Sequence, residues 1–277
     1  MDNEGNGSRA TQSLLLDGDE WSDAACWDGR RYRRESFFFP SGEDRLYGSL
    51  YAATEGVRPF GVVVCPSWGM EGRILLEWCH QLALGVADAG GTGLVVQWPG
   101  SQDSSGDPQS VTLESLVTAT RDAVTAGTER CPDRRWALVG VRIGAAAAAV
   151  AATTLDTPHL MLVQPELDPA AYFDEVERDG HRAHLDGELP PNWAFGHALP
   201  PAMRGVGTGD QVQAALAAFR GKGTVVRYKT PRATPPPDGM ETVVVPGDWD
   251  RPPLADHRPL RLTALRRLRR ASRRGFD

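Results

Sequence analysis

Arg142 stands where a nucleophile would be expected. The stretch Trp136–Val150, WALVGVRIGAAAAAV, joins a short apolar strand to an alanine-rich helix through a turn bracketed by Gly140 and Gly144. A strand, sharp turn and helix carrying G-x-S-x-G lifts its central side chain into a pocket at the end of a sheet and aims the next backbone N–H at the same point. Here that side chain is a guanidinium, which has five donors, no acceptor and a permanent charge, so it cannot attack a carbonyl as serine does. Two roles remain open for it. Arg142 either plugs the pocket by pairing with a carboxylate such as Asp248 or Glu71, or forms an anion site with the N–H groups of Ile143 and of Ser67 or Trp68. Such a site would hold a carboxylate, an enolate or a leaving acid.

Further residues bear on that pocket. Glu71 is either an anchor for Arg73 and Arg142 or a general base. Asp248 and Asp250 follow the last strand, where either acid could pair with Arg142 or act as base. His257 lies a few residues beyond, where a spectator and a catalytic role are equally open. Tyr172, Trp193, Phe195 and His197 fall in one long polar and proline-rich insertion and either line the substrate pocket or belong to the core. His181 and His184 have an i, i+3 spacing but no matching Cys, Asp or Glu constellation, so no metal is expected. No cofactor motif is present.

The elements that must position these residues alternate along the chain. Glu35–Phe39 and Leu46–Tyr51 read as a hairpin closed by Ser41-Gly42-Glu43-Asp44. Gly61–Cys65, Gly93–Trp98, Trp136–Val139 and His159–Gln164 are continuous apolar runs, as expected of strands buried on both faces of a parallel sheet. Ile74–Ala89, Val111–Ala126 and the alanine run supply helices between them. The pattern breaks over about 165–207, read as a lid inserted in one domain spanning 31–277. It resumes with a helix at Asp210–Phe219, strands at Thr224–Tyr228 and Glu241–Val245, and a helix at Leu260–Arg273. This order predicts an α/β fold with a mostly parallel, doubly wound sheet and an antiparallel hairpin at its N-terminal side.

Composition narrows the class. The chain has 277 residues, is 41% hydrophobic and carries a formal net charge of −6, which suits a soluble domain of ordinary size. No apolar run approaches the roughly 20 residues of a membrane span. The acidic opening, residues 1–30, holds no signal-peptide pattern, so a cytoplasmic location is expected and no membrane partner is implied. Its first dozen residues have the composition of a disordered segment. Cys26, Cys65, Cys79 and Cys131 show no CxxC spacing and read as free thiols. Lys222 and Lys229 are the only lysines among 30 basic residues, an arginine bias that points to a GC-rich bacterial genome. The arginines of the last helix line one face opposite Leu262, Leu265 and Leu268. That seam reads as a docked helix with a solvated basic face, and no nucleic-acid partner is expected. A homo-oligomer is left open.

From about residue 35 onward this order resembles the α/β-hydrolase superfamily. Within it, CPSWGME at Cys65–Glu71, WPGSQDSSGD at Trp98–Asp107, GVRIG at the elbow, VQPELD at Val163–Asp168 and WAFGHALP at Trp193–Pro200 are similar to the exosortase A system-associated hydrolases. The resemblance implies an oxyanion loop at Cys65–Glu71 and a pocket beneath the lid. The triad departs from it: Arg142 replaces the nucleophile, only Asp238 follows Thr224–Tyr228, and GDWDRPP follows Glu241–Val245. Three functions remain open. One is a lyase that removes a carboxylic acid such as acetate from an acylated small molecule, as hydrolase-fold proteins of tetronate antibiotic pathways do. The second is an ester or thioester hydrolase using another base, and the third a catalytically silent binding protein.

Overall fold

Alternate residues of a strand face opposite ways, so a run such as Val62, Val63, Val64 and Cys65 can be apolar throughout only if both sides are covered. The computed structural model describes residues 24–28, 31–183, 190–205, 207–228, 237–246 and 258–273. In it the apolar runs form β4 (Phe60–Cys65), β5 (Thr92–Val96), β6 (Arg135–Val141) and β7 (His159–Val163). Ahead of them come β1 (Ala24–Asp28), β2 (Tyr32–Ser41) and β3 (Asp44–Ala53). After them come a small hairpin, β8 (Trp193–Ala194) and β9 (His197–Ala198), and then β10 (Lys222–Tyr228) and β11 (Glu241–Val245). The main sheet has the order β1-β2-β3-β5-β4-β6-β7-β10-β11. Its pairs from β5 to β11 are parallel and those from β1 to β5 antiparallel.

Helices cover both faces. On one side α1 (Gly69–Ala87) packs Leu75, Trp78, Leu82 and Val86 against Val62, Val64 and Val95, and α6 (Arg258–Arg273) adds Leu260, Leu265 and Leu268. A side-chain carbon on Gly85 would lie 2.6 Å from Leu265, so the bare backbone there lets α6 seat on α1. Each of the three buried leucines of α6 contributes about 1.5–3 kcal/mol by transfer from water. On the other side, α2 (Leu113–Arg130), α3 (Gly144–Ala151) and α5 (Thr208–Ala218) close over Val63, Leu94, Leu138 and Leu162. Every residue of α3 is buried, and its alanines allow the close approach to the sheet that larger side chains would prevent.

Apart from shifts of a few residues at element ends, the sequence reading and the structure part at three elements. Residues 24–28 form β1, an outer edge beyond the hairpin, whereas no strand is expected there from the sequence. The first helix begins at Gly69, not Ile74, because Gly72 packs over the carbonyl of Ser67 and starts the turn early. The insertion is not irregular throughout: α4 (Pro169–Ala183) buries Tyr172, Phe173 and Gly180 on one side. Cys65 and Cys79 are buried free thiols, and Cys131 is partly buried. No helix among the described residues is long and apolar enough to cross a membrane.

Candidate active site

The turn after β6 is held by contacts only glycine permits. A carbon added to Gly140 would sit 2.4 Å from Ala145 Cα, and one on Gly144 would lie 2.2 Å from the carbonyl of Pro66 and 2.3 Å from that of Cys65. Between them Arg142 has φ +54°, a left-handed conformation that costs a non-glycine residue about 1–3 kcal/mol and must be enforced by its surroundings. Backbone bonds enforce it: Arg142 N–H donates to Val163 O at 3.0 Å, and Arg142 O accepts from Ala145 at 3.0 Å and from Glu166 at 3.1 Å. The elbow is therefore clamped both to its own helix and to the loop after the neighbouring parallel strand.

From that tip the guanidinium turns into a cluster of polar side chains. Its Nε donates to Glu71 Oε1 at 2.8 Å; its Nη1 donates to Glu166 Oε1 at 2.5 Å and to the carbonyl of Gln164 at 3.2 Å. Glu71 Oε2 in turn accepts from Ser67 Oγ at 2.5 Å and from Tyr172 OH at 2.8 Å, and the two hydroxyls lie 3.3 Å apart. Exposure grades across the cluster: the side chains of Arg142, Glu71 and Glu166 are 12%, 18% and 34% exposed. Glu166 is thus the carboxylate that faces outward.

Electrostatics follow from that grading. Burial works against the charge of Arg142, but Glu71 and Glu166 more than offset it and hold its proton more tightly than usual. Burial raises Glu166 above the ordinary carboxylate range; Arg142 pulls it back, and the like charge of Glu71 pushes it up again. Tyr172 is held well above the usual phenol range by burial and by the Glu71 carboxylate, so it stays a donor.

Of the residues expected at the pocket from the sequence, Arg142, Glu71, Ser67 and Tyr172 meet in one network. The carboxylate paired with Arg142 is Glu71, as one expectation had it, joined by Glu166. Ser67, Trp68 and Ile143 are buried, and among the described residues no acceptor takes their backbone N–H groups. Tyr172 aims its hydroxyl at Glu71 and is part of the charge network. Trp193 is partly buried in β8, and Phe195, with φ +50°, is exposed at the hairpin turn. His197 sits over the start of α1, where burial and Arg73 lower its affinity for a proton. Asp248, Asp250, His184 and His257 lie outside the described residues. Glu166 and Gln164 were missed from sequence, although a signal existed. Parallel neighbours end side by side, so an acid two or three residues past β7 reaches the tip that follows β6.

No protein-family model and no curated protein sequence matches the chain. Its structure is similar to Est1E from Butyrivibrio proteoclasticus bound to ferulic acid, at 17% identity and TM-score 0.59, over 86% of this chain and 96% of that one. It is similar also to a cold-adapted esterase from an Arctic intertidal metagenomic library, at 10% identity and TM-score 0.58, over 88% and 96%. DcsB, in complex with its substrate analogue, gives 14% identity and TM-score 0.59 over 87% and 98%. The chain has the α/β-hydrolase fold. The tip after β6 of this fold holds Arg142, followed by Ile143 at the start of α3. The segment Trp98–Asp107 is a structural brace. Ser104 Oγ donates to Gln97 O at 2.9 Å and accepts from Tyr47 N at 2.9 Å, and Ser105 Oγ accepts from Arg45 N at 2.8 Å. It ties β5 to the β2–β3 hairpin.

Proposed function

We propose that this chain is an α/β-hydrolase-fold enzyme that acts on an acylated small molecule without forming an acyl-enzyme, removing a carboxylic acid from a β-acyloxy carbonyl compound. The observation that carries the reading is that Nη1 of Arg142, at the elbow tip, is held by Glu166, the outermost carboxylate of the cluster. Burial makes Glu166 a stronger base than a solvated glutamate. In the step proposed, Glu166 takes the proton from the carbon next to the carbonyl, and the C–H electron pair moves onto the carbonyl oxygen. The N–H groups of Ile143 and of Ser67 or Trp68 meet the developing oxyanion. Return of that pair forms the C=C bond and expels the acyloxy group, with its C–O bonding pair, as a carboxylate. Glu166, now neutral, has released its hold on Arg142, and the guanidinium takes the departing carboxylate. Glu71, fixed by Ser67 and Tyr172, keeps the guanidinium oriented throughout.

Turnover of a panel of β-acetoxy ketones and thioesters in H₂¹⁸O tests this. Elimination leaves both products free of label, whereas ¹⁸O in the released acid or in an alcohol means hydrolysis and sinks the reading. Glu166→Gln should lower turnover by roughly two to four orders of magnitude, the scale of a positioned base. Arg142→Ala should lower turnover by roughly two to three orders of magnitude, and Arg142→Lys should restore it only in part, since a point charge cannot grip two carboxylate oxygens. The mutual pairing of Arg142 with two carboxylates favours a second reading, in which the cluster is a structural clasp and the chain only binds its ligand. Ligand binding without turnover, unchanged in Glu166→Gln, selects that one.

A further inference from the structure

A cleft lies at the end of the sheet opposite Arg142. It has a volume of about 400 Å³ and is lined by Tyr32 and Arg34 of β2, Tyr51 of β3, and Glu77, His80, Gln81 and Leu84 of α1. Tyr51 pairs with Gly93 near the start of β5, so the cleft is level with the amino-terminal ends of the parallel strands, whereas Arg142 follows a carboxyl-terminal end. The size is that of a small-molecule site.

Its lining is ordered. Tyr51 is buried, and its hydroxyl and His80 Nδ1 are in hydrogen-bond contact at 3.1 Å. The Tyr51 ring lies 6.2 Å from that of Tyr32, tilted by 52°, and 5.9 Å from the His80 imidazole, edge to face. These rings make an aromatic floor. Two opposite charges flank it. The Arg34 guanidinium carbon stands 5.7 Å from the centroid of Tyr51, and Glu77 receives a 2.7 Å bond from the Gln81 amide. Among the described residues neither Arg34 nor Glu77 forms an ion pair, with each other or with a third group, although both charges act on Tyr51 and His80. An aromatic floor between a separated cation and anion is complementary to a zwitterion with an apolar substituent.

We propose that this cleft binds a free α-amino acid with an aromatic or branched apolar side chain. Arg34 takes the carboxylate, Glu77 the ammonium group, and Tyr32 and Tyr51 the side chain. Arg34 presents a planar fork suited to a carboxylate, and Glu77 offers its remaining acceptor positions to the ammonium. The site is independent of the chemistry proposed at Arg142.

Isothermal titration of the full chain with L-phenylalanine, L-tyrosine and L-leucine tests the assignment, alongside phenethylamine, which lacks the carboxylate, and N-acetyl-L-phenylalanine, which lacks the ammonium group. Saturable millimolar or tighter binding of at least one amino acid is expected, with each monopolar analogue of phenylalanine at least tenfold weaker than phenylalanine. In Arg34→Gln the advantage of phenylalanine over phenethylamine should vanish, and in Glu77→Gln its advantage over the N-acetyl compound. Both side chains are exposed, so circular dichroism should show unchanged folding. Absence of saturable binding by all three amino acids overturns the proposal. So does binding that the two substitutions leave unchanged, or a monopolar analogue that binds as well as phenylalanine.

Discussion

Replacing Arg142 by methionine removes the charge at the elbow tip while keeping a long unbranched side chain. The left-handed backbone strain is the same for both residues, so the comparison isolates the cation. Glu71 then loses the donor to Oε1 but keeps Ser67 and Tyr172 on Oε2. Stripping the partner from a fully buried ion pair costs about 3–5 kcal/mol. Glu71 is 18% exposed and still holds two hydrogen bonds, so water relieves part of that cost and about 2–3 kcal/mol is expected. For a chain of this size that corresponds to a fall in Tm of roughly 5–10 °C. Differential scanning calorimetry at pH 7 measures it. The double variant Arg142→Met with Glu71→Gln leaves only the more exposed Glu166 orphaned and should regain most of the loss, since the larger penalty belongs to the more buried carboxylate. An Arg142→Met protein as stable as the parent, or a double variant no better than the single one, would refute this account of the cluster.

Two further outcomes are expected. The folded state raises the proton affinity of Glu166, so this residue contributes stability that is fully present below its unfolded pKa and lost as pH rises through its folded pKa. Glu166→Gln should therefore flatten the pH dependence of Tm across the acid-to-neutral range, with its advantage over the parent growing as pH rises; a parallel shift at every pH would contradict it. Gly144→Ala pushes a carbon to within 2.3 Å of two backbone carbonyls that cannot rotate away. It should cost at least about 3 kcal/mol, read as a lower Tm or loss of soluble protein, and a neutral result would mean the elbow can open.

How far the sequence discloses this arrangement depends on the range of the forces involved. Gly61–Cys65 and Glu241–Val245 are legible because continuous apolar character and β-branching act locally, and the strands fall within a residue of those limits. GVRIG is legible because two close backbone approaches demand glycine at a fixed spacing. The strand at residues 24–28 is not, because its acidic surroundings give no alternation and its reason to exist is the free edge of β2. Nor is α4: its buried residues are only Pro169, Tyr172, Phe173 and Gly180 among many charged ones. Glu71 could be nominated as a partner of Arg142 from its loop alone. Glu166 requires knowing that β7 lies beside β6, a fact of sheet order that no local pattern carries.

That same neighbour decides what the elbow can do. A lone Arg142–Glu71 pair would balance the charge of the guanidinium, and an apolar residue of similar volume would serve stability as well or better, because desolvating two charges cancels most of their attraction. Adding Glu166 makes the count among the described residues one cation to two anions, which stability does not require and which burial makes costly. The excess carboxylate is the most exposed of the three groups and sits on Nη1 of the guanidinium. Protonating it removes one of those two anions and loosens its hold on Nη1, which still donates to the carbonyl of Gln164. In the elimination proposed above, accepting a proton and acquiring an anion would be one event, a coupling that a closed salt bridge lacks.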